Sequence, residues 1–96
     1  MPTYISLCKW TQQGVKTVKE SPTRLDGAKK GLAKQGVKIL NFYMVTGVYD
    51  MVIVCEAPNF EVMAKAMLST MSVGSITTET SRAFTEDEYR AIIGSL

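Results

Sequence analysis

The chain has 96 residues, 46% of them hydrophobic and 21% charged, and a formal net charge of +2. This composition is that of a folding globular chain rather than a disordered one, and the length leaves no room for a second core, so residues 1–96 are expected to form one domain. A charge of +2 gives no argument for nucleic acid or an anionic membrane as partner.

Histidine is absent, and the only two cysteines, Cys8 and Cys55, cannot supply a four-ligand zinc site within one chain. No metal and no cofactor are therefore expected, with haem left only the unusual ligation by cysteine or tyrosine. No signal peptide and no apolar run near the roughly 18 residues of a membrane span are present, which points to a cytoplasmic protein with reduced thiols. A domain this small buries only about 60–65% of the surface its unfolded chain exposes, so self-association is the expected source of further stability. Residues 1–40 carry a net +6 and the remainder −4. Most of that asymmetry reads as solvated helix surface, and it could also orient subunits.

In chain order, Thr3 to Trp10 alternates with strand periodicity. Thr11 offers a cap for a short helical turn through Val15 and Val18, and Ser21 with Pro22 is expected to open the main helix. Leu25, Ala28 and Leu32 form its narrow apolar stripe, and Gly36 is placed to end it in a left-handed cap. Lys38–Val45 and Tyr49–Glu56 are two strands joined through Thr46, Gly47 and Val48. Asn59 caps a second helix in which Phe60, Met63, Ala64, Met67 and Met71 recur at helical spacing, ending near Gly74. Ser75–Phe84 alternates as a fourth strand, and Thr85 with Glu88 makes a capping box for a C-terminal helix.

This order predicts an α+β fold of the ferredoxin-like β-α-β-β-α-β plan, with an antiparallel sheet, strands one and three central, and an added C-terminal helix. Ile5, Leu7, Val52 and Val54 are expected beneath the helices. Tyr4, Cys8 and Trp10 with Tyr49, Met51, Ile53 and Cys55 would then occupy a helix-free face too apolar for solvent. A second subunit is expected to cover it, giving a dimeric α/β barrel.

Three motifs stand out: Leu7-Cys8-Lys9-Trp10-Thr11 followed by Gly14, then Gly47-Val48-Tyr49-Asp50, then Thr78-Glu79-Thr80 leading to Arg82-Ala83-Phe84-Thr85. With them the chain resembles the GYD domain family, small bacterial and archaeal proteins of the dimeric α/β-barrel kind, over nearly its whole length. The resemblance implies the fold and the self-association. It brings no catalytic residues.

Lys9 and Trp10 end strand one at the rim of the expected barrel, where a cation beside an indole could hold an anionic or aromatic ligand; alternatively Trp10 lies in the subunit interface beside a solvated lysine. Asp50 near the Tyr49 hydroxyl could serve proton abstraction, or Gly47 could permit positive φ while Asp50 ties the hairpin and Tyr49 packs. Glu79 and Arg82 are three apart on one strand and so face opposite ways. Glu79 is expected either inside the barrel or paired with a basic residue across an interface. Cys8 and Cys55 are expected to be buried free thiols lying close together.

These readings leave three functions. One is a homo-oligomer that binds a small molecule or a partner between its sheets. Another, by analogy of fold, is a cofactor-free isomerase or monooxygenase using Lys9, Trp10, Tyr49, Asp50 and Glu79. The last is a structural assembly subunit.

Overall fold

The computed structural model describes residues 1–96. Strand β1 (Thr3–Trp10) is followed by α1 (Gln12–Lys16), a 3₁₀ turn at Val18–Glu20, α2 (Ser21–Lys34), β2 (Lys38–Met44), β3 (Met51–Glu56), α3 (Phe60–Ser72), β4 (Ile76–Ala83) and α4 (Glu86–Gly94). Local chemistry sets most of these boundaries. The Thr11 hydroxyl accepts from Gly14 N–H, Asn59 accepts from Val62 N–H, and Thr85 and Glu88 form the complete capping box. Gly36 and Gly74, both at positive φ, carry the chain out of α2 and α3.

Two boundaries differ from expectation. Ser21 does not cap α2, because the 3₁₀ turn runs straight into the helix and Ser21 already has helical backbone. The β2–β3 connection is longer than three residues. It closes with Val45 N–H donating to Asp50 O at 2.8 Å, which leaves Tyr49 outside the ladder.

The sheet order is β2-β3-β1-β4, with all neighbours antiparallel. The helices cover one face only. Helix α2 lies along the β2 side and α3 along the β4 side. Beneath them point Tyr4, Ser6 and Cys8 of β1 and Met51 and Cys55 of β3, all buried, and Tyr4 and Cys55 pack in one cluster with Leu32 of α2 and Met63, Ala66 and Met67 of α3. The expected assignment of faces is therefore reversed. Small Ser6 and Cys8 leave room for methionine side chains arriving from above, and the Ser6 hydroxyl lies 3.5 Å from Met67 Sδ and 2.7 Å from Thr80 Oγ1. Ile5, Leu7, Val52 and Val54 occupy the helix-free face, where they are only half-buried.

Beyond β4, α4 projects with no element packed extensively against it, and exposes Tyr89, Ile92 and Ile93. The accessible surface is 6418 Å², against about 5,500 Å² for an average monomer of this mass. The excess marks a chain that covers itself incompletely.

One tight approach ties the start of α1 to the α3–β4 turn. Thr11 N–H donates to Ser75 O at 3.0 Å, and a Cβ on Gly14 would stand 2.0 Å from that same oxygen. Gly27, inside α2, has nothing within 4 Å of its Cβ direction. Gly14→Ala is therefore expected to destabilise the fold by about 1–3 kcal/mol. Gly27→Ala should stabilise it by about 0.5–1 kcal/mol, helix propensity being the only term that changes. Thermal melts should move in opposite directions, by roughly 4–8 °C per kcal/mol for a domain of this size.

Candidate functional site

The hairpin between β2 and β3 turns at Gly47, whose φ of 110° is costly for any side chain. It delivers Asp50 to the end of β1. There the Asp50 carboxylate accepts from Trp10 N–H at 3.0 Å and its own N–H donates to Cys8 O at 2.9 Å. Asp50 is thus a clamp joining β1 to the hairpin, and its carboxylate is spent on backbone. It does not meet the Tyr49 hydroxyl.

That hydroxyl instead donates to Glu79 Oε2 at 2.8 Å, and Lys9 Nζ stands 5.5 Å from the Tyr49 ring centroid. Lys9, Tyr49 and Glu79 therefore form one exposed cluster at the end of the helix-free face, drawn from three different segments. Glu79 lies opposite Leu7 in the ladder and Lys9 opposite Thr77, so the two charged residues are diagonal neighbours. The bond to Glu79 is the main cause raising the Tyr49 phenol above its ordinary range. At neutral pH the phenol stays protonated and offers a hydrogen bond rather than a base.

Arg82 and Trp10 lie elsewhere. Arg82 pairs with Tyr4 in the ladder, on the opposite face and five residues along β1 from Lys9, a separation of about 17 Å. Its guanidinium bonds Glu88 at 2.9 Å, Thr3 O at 3.3 Å and Ala83 O, and lies 4.4 Å from the Phe84 ring centroid. It anchors the start of α4. Glu88, held by Thr85 N–H and then by Arg82, has its carboxyl pulled down to about 2.

The Trp10 side chain belongs to the helix-covered side, where α2 and α3 stand apart over the central strands. An open groove of about 380 Å³ runs between them. Trp10 of β1 and Ile53 of β3 are the half-buried part of its floor, with buried Ser6, Cys8, Met51 and Cys55 lying beneath, and α2 contributes Arg24, Leu25, Ala28, Gly31 and Leu32 to one wall. No motif in the sequence marks this groove as a unit. Leu25, Ala28 and Leu32 were legible as a stripe, and Gly27 with Gly31 could have signalled a helix side left unfilled. Arg24 gave no signal, because its setting depends on α1 folding back toward α2.

Cys8 and Cys55 are free and buried, but they are not cross-strand partners. Cys8 pairs with Met51 and Cys55 with Tyr4, because late positions in antiparallel strands lie at opposite ends of the ladder. Burial is the main cause that pushes the thiols up, Cys8 to about 12 and Cys55 to about 11.

The profile of the GYD domain matches residues 4–93. The chain belongs to the GYD domain family. A relative from Thermus thermophilus, named glutamine synthetase and cystathionine beta-lyase binding protein, is 38% identical over 84 residues, covering 86% of this chain and 88% of that protein. Two solved structures share the fold. One is the crystal structure of a Thermus thermophilus protein (22% identity, TM-score 0.57, 88% of this chain and 95% of that one), the other an ACT domain protein from Streptococcus pneumoniae (12% identity, TM-score 0.55, 100% and 97%). The Gly47, Tyr49 and Asp50 of this GYD domain thus serve three separate tasks, a turn, a hydroxyl donor and a strand clamp.

Two measurements check these assignments. Because the folded Glu88 carboxyl titrates below its ordinary value of 4.5, its contribution to α4 is complete above that pH and is lost as pH falls toward about 2. Helicity followed against pH should show that acid limb in the wild type and a flatter one in Glu88→Gln, which should also be less helical at neutral pH. A disulfide thiol reagent at pH 8 should label neither cysteine in the folded protein and both after denaturation.

Proposed function

We propose that this GYD domain is a self-associating binding protein that docks on other proteins rather than turning over a substrate. The observation that carries the reading is the uncovered aliphatic face. Ile5 and Leu7 stand opposite Val54 and Val52 at the centre of the sheet, flanked by exposed Tyr43, with no helix above them. A continuous β-branched and leucine surface of this kind is costly in water, and a second copy placed face to face would remove it.

Lys9, Tyr49 and Glu79 would then border the joint, supplying a cation, an aromatic ring and a carboxylate for partner recognition. The name of the Thermus relative, which describes binding to glutamine synthetase and cystathionine beta-lyase, supports protein partners of the same kind.

The test has two parts. Leu7→Lys places an ammonium in the proposed joint and should weaken self-association in sedimentation velocity roughly tenfold or more, with an unchanged circular dichroism spectrum. An unaltered oligomer, or a monomeric wild type, would overturn the joint. Calorimetric titration of the wild type with purified glutamine synthetase and with cystathionine beta-lyase from its own organism should give saturable binding to at least one. No binding to either would overturn the partner assignment.

A further inference from the structure

The groove between α2 and α3 lies on the other side of the sheet from the proposed joint, and self-association through that joint leaves it open. It runs along α2 from Ser21 to Gln35, about 21 Å at the helical rise. Its volume of about 380 Å³ falls within the roughly 300–1,000 Å³ typical of small-molecule sites. Helix α2 keeps its side of the groove shallow. A Cβ on Gly31 would meet nothing within 4 Å, although glycine inside a helix costs about 1 kcal/mol relative to alanine. The monomer's own packing does not explain that glycine, whereas an occupant would.

The middle of the groove and its Ser21 end differ in chemistry. The middle is Leu25, Ala28, Leu32, Phe42 and Ile53. At the Ser21 end stands Arg24, whose guanidinium forms no ion pair with any carboxylate of the chain. Nη1 donates to Thr17 O and Thr17 Oγ1, both at 2.9 Å, and Nη2 donates to Gly14 O at 3.4 Å. Guanidinium carries five N–H donors, so Nε–H and one Nη2–H remain, on the edge that donates to a carboxylate bidentately. The three bonds already made hold that edge in place.

The geometry points to this groove as the binding site of an elongated apolar carboxylate, its head on the free edge of Arg24 and its chain along α2 over the central strands. The positive charge selects an anion, and the length and apolar middle select a chain rather than a compact solute. Trp10, the only tryptophan, lines the groove and reports on its occupancy.

Dodecanoate, dodecanol and dodecyltrimethylammonium, each below its micelle concentration, are titrated into the wild-type protein with calorimetry and Trp10 emission read together. Saturable heat and a saturable emission change with dodecanoate, weaker with the alcohol and absent with the cation, are expected. Arg24→Gln should weaken dodecanoate roughly tenfold or more and leave dodecanol unchanged. Gly31→Leu, whose Cβ would meet nothing within 4 Å and which is a better helix former, should remain folded by circular dichroism and lose both ligands. Absence of saturable binding by the wild type, or equal binding of all three probes, overturns the proposal. So does a Trp10 shift that follows protein concentration alone and is abolished by Gly31→Leu, which would make a second copy the occupant. Oligomeric state and partner titration are unaffected by Arg24→Gln, so failure here is separate from failure of the proposed function.

Discussion

Everything in this molecule depends on helices covering only one face of a four-stranded sheet. Alternation along β1 sends Tyr4, Ser6 and Cys8 to one side and Ile5 and Leu7 to the other, and β3 follows in register. The side that receives α2 and α3 becomes the core. It is built from methionine, cysteine and small residues because two helices that stand apart leave an irregular space that flexible, polarisable side chains fill. The other side keeps the regular aliphatic surface that would itself make a good core.

The same constraint distributes the polar groups. Asp50 and Arg82 look like functional side chains, and both are used structurally, one closing the open end of β1 and the other fastening α4 at the opposite end. Lys9, Tyr49 and Glu79 remain at the edge of the helix-free face with their polar groups toward solvent. The splayed helices leave a second opening over the central strands. Two openly accessible surfaces of different character thus lie on opposite faces of one thin sheet, in a chain measuring 49 × 31 × 17 Å.

Membership of the GYD family and the shared fold place the chain among small domains whose relatives include a named protein-binding protein. The physical features agree with that setting. Tyr49 is held as a hydrogen-bond donor, and both thiols are kept from reaction by burial.

The sequence by itself determined what depends on neighbours within a few residues. Thr85 with Glu88, Asn59, and the glycines at 36, 47 and 74 act through local hydrogen bonds and backbone sterics, so the element order and the central position of strands one and three were legible. Only the tertiary structure decided which face of the sheet the helices would cover, because both faces of β1 and β3 are apolar and alternation separates two faces without ranking them. It also decided that Tyr49 would meet Glu79 rather than Asp50, and that Arg24 would overlook a groove. Those contacts join residues distant in the chain, and their geometry is set by the register of the ladder and the spread of the helices, neither of which has a local cause.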